Sequence, residues 1–127
     1  MNCMVNKAGK KAVELLWRKE KYKVMYYNQN QYNQILQLMR DQLDDVAVLK
    51  RVIRETYQMS PTIGSKKNSY QHMWGYFKKV ATSEEKSDYQ IYISDFEQHE
   101  MQLKELLINL SNKYNVSYLK NSSILFE

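Results

Sequence analysis

The chain has 127 residues, 43% hydrophobic and 26% charged, with 3 Gly and 1 Pro, and 19 Lys+Arg against 14 Asp+Glu for a net charge of +5. That is one domain, residues 1–127, with room for one modest core; so few Gly and Pro exclude a turn-rich β sandwich or barrel, and so many apolar residues exclude disorder. The expected fold is all-α, a single compact bundle of five or six helices with a long C-terminal helix.

One cysteine, Cys3, leaves no internal disulfide, and with His72 and His99 the only other soft donors no metal site or other cofactor is expected. No stretch approaches the roughly 20 apolar residues that span a bilayer, and the run Ala12 to Trp17 is interrupted by Glu14, too short and polar for a signal peptide. A cytoplasmic protein without membrane partners is the expectation. The charge is segregated: residues 1–80 hold 15 Lys+Arg and 6 Asp+Glu, residues 81–127 hold 4 and 8. A local excess of +9 suits a polyanionic partner, although an unevenly charged solvated surface is the commoner meaning of such a count.

The first predicted helix runs from about Lys7 to Tyr27, with Val13, Leu16, Trp17, Val24 and Tyr27 in one apolar sector and Glu20 as its misfit. Lys7, Lys10, Lys11, Arg18 and Lys21 form the opposite, basic face. Asn28 to Gln31 supplies a break, and Tyr32, Ile35, Leu36 and Met39 then mark a second helix from about Gln31 to Arg40. Leu43, Val46, Leu49, Ile53 and Tyr57 continue the spacing with no Gly or Pro between, which fits one bent helix or two. Acidic residues in Asp41 to Asp45 suit a helix start, so two are expected, divided there.

Ser60 to Ser65, with the sole Pro, is the main loop. A helix from about Ser65 to Val80 follows, with Tyr70, Met73, Tyr76, Phe77 and Val80 as its core face and Trp74 at the edge. Its other face carries Lys67, Asn68, Gln71, His72, Gly75, Lys78 and Lys79, with no acid. A glycine inside a helix costs about 1 kcal/mol relative to Ala, so Gly75 points to close approach of a second backbone, a neighbouring helix or a phosphodiester. His72 has no carboxylate three or four residues away and no nucleophile on its face, which argues against acid–base catalysis. Amides and cations suit holding phosphates and bases. Thr82 and Glu85 have capping-box spacing, and from Tyr89 through Ile93, Phe96, Leu103, Leu107 and Leu110 to Tyr114 the helical phase continues, with Glu97 to Glu100 polar enough to permit a kink. The tail, Tyr118 to Phe126, is expected to pack back on the body.

Pro61-Thr62, Gly64, Asn68 and the run Gln71-His72-Met73-Trp74-Gly75-Tyr76-Phe77-Lys78-Lys79 resemble the signature of the YbgA-like family, a domain of unknown function. Leu16-Trp17, Lys21-Tyr22, Val24-Met25, Ser83 to Lys86 and Tyr118-Leu119 agree in order, so the resemblance covers nearly the whole chain and suggests a free-standing member. In many relatives this domain follows a cysteine-bearing desulfidase-like domain that holds an iron–sulfur cluster and removes sulfur from thiolated uracil, including uridine in tRNA. The resemblance implies an RNA-holding module, here without the cluster-binding half. The chain departs from the family at Ile63, where a basic residue is usual, and at His99-Glu100-Met101-Gln102, which replaces a Gly/Pro-containing break and implies a straighter C-terminal helix.

Two functions follow as expectations. The first is a non-enzymatic module for tRNA or another structured RNA, with Lys67, Lys78 and Lys79 on phosphates, Asn68, Gln71 and His72 on sugar, phosphate or base, Gly75 allowing close approach, and Lys10, Lys11, Arg18 and Lys21 extending the track. The second is a protein-interaction module, self-associating through the Tyr89 to Tyr114 seam or recruiting a separate iron–sulfur desulfidase-like protein.

Overall fold

Asn6 opens the first helix by accepting the Gly9 N–H in its side chain, and Asn28 closes it while capping the next through the Gln31 N–H. From these starts a computed structural model, which describes residues 6–127, builds an all-helical chain; Cys3 lies outside the described residues. Six helices have 11 or more residues: α1 (Lys7–Tyr27), α2 (Gln29–Arg40), α3 (Val46–Thr56), α4 (Ile63–Trp74), α5 (Ser83–Ser94) and α6 (Phe96–Lys113). Two single turns, α7 (Ser117–Lys120) and α8 (Ser123–Phe126), end the chain. The α2–α3 division falls where two helices were expected. Gln42 takes a left-handed φ of 64° there, and Asp45 caps α3 through the Ala47 N–H.

Helix α1 is buried on two sides. Val13, Trp17 and Val24 join Ile35, Leu49 and Ile53 of α2 and α3, while Tyr22 and Met25 join a larger cluster with Tyr70, Phe77, Phe96, Leu103 and Leu107. Tyr32 touches both clusters. The apolar sector read from the sequence is only the α2/α3 side, because a helix buried on two sides shows no single stripe. Glu20, the misfit, accepts the Tyr57 hydroxyl at 2.7 Å. The tail packs back as expected: Leu119, Ile124 and Leu125 are buried.

Three expectations are corrected. The helix expected over Ser65 to Val80 starts earlier, because Thr62 and Ser65 form a reciprocal capping box, and ends at Trp74. Gly75 is therefore its C-cap, in a right-handed conformation, and not an interior residue. The chain then follows turns through Val80, so Phe77 stays buried while Tyr76 and Val80 emerge into solvent. The C-terminal region is not straight: α5 stops at Asp95, and His99 inside α6 has φ −128° and ψ 18°. The His99 Nδ1–H donates to the Asp95 carbonyl at 3.0 Å, so the ring takes up a backbone acceptor that a continuous helix would use.

Candidate nucleic-acid interface

Two serines set the position of α4. Ser65 Oγ donates to the Tyr26 carbonyl at 2.8 Å and Ser69 Oγ to the Tyr22 carbonyl at 2.7 Å, so α4 runs antiparallel to α1 along a seam of small side chains. On the α6 side of that seam stands Lys66, 3.7 Å from Glu100 and over the Tyr26 ring at 5.7 Å. On the α2 side stand Asn68 and His72.

Asn68 donates to the Gln29 side-chain oxygen at 2.7 Å. With His72, Asn28, Gln29, Asn30, Ser60 and Thr62 it lines an open groove of about 590 Å³ that contains no charged side chain. Gln71 is exposed and Lys67 is half-buried. Beyond α4, Lys78 and Lys79 are exposed on the turns. A Cβ added to Gly75 would meet only its own helix end, the His72 carbonyl oxygen at 3.0 Å, so no neighbouring helix explains this glycine.

A cation–tyrosine cluster lies where the signature segment leaves α4. The Tyr76 and Tyr22 hydroxyls are hydrogen-bonded at 3.0 Å, and the Tyr76 and Tyr118 rings stack at 6.1 Å. The Arg18 guanidinium sits 5.0 Å over the Tyr118 ring, and Lys21 Nζ lies 5.5 Å from the Tyr22 ring and 5.9 Å from that of Tyr118. Burial pushes the Tyr22 phenol up from its ordinary pKa, helped by the bond to Tyr76, and pulls the Lys21 ammonium down. Each cation is thus fixed over an aromatic face, an interaction of about 0.5–2 kcal/mol depending on exposure.

The structure therefore brings Arg18 and Lys21 of α1 to Tyr118 and Tyr22, the two partners of Tyr76, which lies four residues past His72 and two before Lys78. It sends Lys10 elsewhere: its ammonium donates to Gln42 at 2.7 Å, beside the α2–α3 loop whose Asp44 carboxylate accepts the Asn6 N–H. Lys11 is exposed seven residues before Arg18, about 10 Å along α1. Trp74 is packed flat on Tyr89, with ring centroids 4.2 Å apart and planes within 5°, so its face is occupied within the core. The accessible ring is Tyr76, which the sequence pattern placed in the core; the excess of tyrosine, 11 against 3 Phe, was the signal that some rings stand at a water boundary.

Among the described residues no carboxylate hydrogen-bonds His72: Glu20 is engaged by Tyr57, and Glu14 is exposed on α1. No group of three or more His, Cys, Asp or Glu that could hold a metal ion is present among them, and no helix is long and apolar enough to cross a membrane.

A family model described as a protein of unknown function, DUF1722, matches residues 21–127. The match begins at Lys21 and takes in the α4 segment, the cation–tyrosine cluster except Arg18, and the tail. No curated protein and no solved structure matches the chain.

Proposed function

We propose that this chain, which belongs to the DUF1722 family, is a YbgA-like, non-enzymatic cytoplasmic module that holds structured RNA, with tRNA the first substrate to test. The observation that carries the reading is that Arg18 and Lys21 stand over Tyr118 and Tyr22, the two residues that hold the exposed Tyr76, with Lys78 and Lys79 exposed just after it and His72 of the neutral groove four residues before it. Cations fix phosphates without reading sequence, an accessible ring stacks on any base, and amides meet the hydrogen-bonding edge of an unpaired one. An accessory role in removing sulfur from thiolated uracil, beside a separate desulfidase, is the setting that the YbgA resemblance suggests. RNA is favoured over docking through the Tyr89 to Tyr114 seam because Tyr89, Ile93, Phe96, Leu103, Leu107 and Leu110 are already buried in the chain's own core.

Electrophoretic mobility shifts with tRNA at a series of salt concentrations test it. Four phosphate contacts, from Arg18, Lys21, Lys78 and Lys79, would make log affinity fall with log salt with a slope of about −3, and Lys78→Glu with Lys79→Glu would flatten that slope by about 2. Absence of any salt-dependent shift at low ionic strength removes the reading.

A further inference from the structure

A second groove, of about 630 Å³, lies between α1 and the C-terminal turns and is lined by Arg18, Lys19, Lys120, Asn121 and Ser123, with Leu15 and Phe126 as its apolar walls. No carboxylate lines it, and none of its three cations is in an ion pair among the described residues. Of the acids adjacent in sequence to its lining, Glu127 is turned away to Lys23 at 2.6 Å, Glu20 accepts from Tyr57 at 2.7 Å, and Glu14 is exposed on α1 and outside the lining. Lys120 Nζ is held by the Asn115 side chain at 3.0 Å, and Arg18 reaches Ser117 Oγ at 3.5 Å, so two of the cations are positioned by neutral partners that leave their charge uncompensated.

Ser123 adds an independent sign. It is 2% exposed, and its Oγ is a buried side-chain polar atom with no hydrogen-bond partner, whereas the adjacent Ser122 hydroxyl donates to the Tyr118 carbonyl at 3.1 Å. An orphaned buried hydroxyl is costly, and in a groove of uncompensated cations an anionic oxygen is the acceptor that would relieve it. The apolar walls are exposed as well, Leu15 at 59% and Phe126 at 37%. We propose that this groove binds the phosphate of a nucleotide: Arg18, Lys19 and Lys120 neutralise it, the Ser123 hydroxyl donates to a phosphate oxygen after a rotamer change, and Leu15 and Phe126 pack against the base or sugar. The site goes beyond the RNA-holding reading and shares only Arg18 with it. Its nucleotide is either free or part of a strand that reaches it past Arg18.

Amide spectra of the 127-residue chain, titrated at constant ionic strength with adenosine 5′-monophosphate, adenosine and an eight-residue oligoadenylate, separate these sources. The proposal expects saturable shifts confined to Lys120 through Phe126 and the middle of α1, caused by the monophosphate or the oligonucleotide and not by adenosine. Response to the oligonucleotide alone identifies a strand, and an equal response to the monophosphate identifies a free nucleotide. Lys19→Glu with Lys120→Glu should raise the Kd at least tenfold, and Ser123→Ala about threefold with the remaining spectrum unchanged. Shifts that persist at wild-type affinity in the double variant, no response to either phosphate compound, or binding to phosphatidylglycerol vesicles without any response to them would overturn it. If Lys78→Glu with Lys79→Glu abolishes the tRNA shift and leaves the monophosphate response intact, the groove is separate from the α4 strip; loss of the monophosphate response alone overturns only the groove.

Discussion

The Tyr57 hydroxyl donates to the Glu20 carboxylate at 2.7 Å, tying the end of α3 to the middle of α1. Glu20 is 9% exposed, and burial of Tyr57, together with its bond to this carboxylate, pushes the Tyr57 phenol far above its ordinary pKa. Tyr57→Phe keeps the ring contact with Tyr27, whose centroid is 5.0 Å away, but leaves a buried carboxylate short of a donor. The expected loss is about 1–3 kcal/mol, and Glu20→Leu added to it should recover most of that loss by removing the stranded charge. Urea denaturation of the two single variants and the double gives the coupling; simple additivity would mean the pair is worth nothing beyond its parts.

Gly9, which no motif marks, is the glycine that packing requires. A Cβ there would lie 2.0 Å from the Asp44 backbone oxygen and 2.9 Å from the Asn6 side chain, so Gly9→Ala must push the start of α1 off the α2–α3 loop. A loss of about 1–3 kcal/mol is expected. Gly75→Ala meets only the His72 carbonyl at 3.0 Å in a conformation that any residue adopts, and should change stability by no more than about 1 kcal/mol. Thermal unfolding of both variants decides between them. A large loss at Gly75 with none at Gly9 would reverse the assignment.

That contrast shows what could be read in advance. The helical periodicities located α1, the α2–α3 division and the Thr82 cap because each is local: a stripe, an Asn or Asp cap, a Thr with Glu three residues on. The end of α4 at Trp74 was not legible, since no residue between Tyr70 and Val80 forbids a helix, and the turns that follow leave Phe77 buried in the larger cluster, beside Trp74 and Tyr114. The break at His99 falls within Glu97 to Glu100, whose polarity permitted a kink; its cause, a ring competing for a carbonyl where no Gly or Pro stands, was not legible. Of the site, the polar identity of Asn68 to Lys79 was visible. The pairing of Arg18 and Lys21 with Tyr118 was not, because it joins positions about 100 residues apart.

Glu85 shows how a cap becomes pH-dependent. Its carboxylate accepts from Lys113 at 2.6 Å, from the Thr82 N–H at 2.8 Å and from the Tyr114 hydroxyl at 2.7 Å. The Lys113 bond is the first cause that lowers its pKa from 4.5 to about 2, followed by the Thr82 bond. A folded-state pKa below the unfolded one contributes stability that is complete above about 4.5 and is lost as the pH falls through about 2. Glu85→Gln should therefore lower the Tm at pH 7, with the gap to wild type closing as the pH is taken from 4.5 toward 2. A gap of constant size across that window would show that the carboxylate's charge is not what holds α5 to α6.

Tyr76 separates stacking from charge in the proposed RNA interface. The residue is 39% exposed, its hydroxyl is used by Tyr22 and one face stacks on Tyr118, so the opposite face, and not the phenol oxygen, is what a base would stack on. Tyr76→Phe should hold tRNA within about twofold of wild type. Tyr76→Ala should weaken it by about 1–3 kcal/mol, the worth of one base–ring stack, without changing the salt slope that Lys78 and Lys79 set. Filter binding at two salt concentrations, with circular dichroism to confirm equal helix content, makes the comparison. Wild-type affinity in a folded Tyr76→Ala chain would exclude Tyr76 as a stacking platform, whereas a slope flattened together with the affinity would mean that the ring acts by positioning Arg18 and Lys21 through Tyr118 and Tyr22.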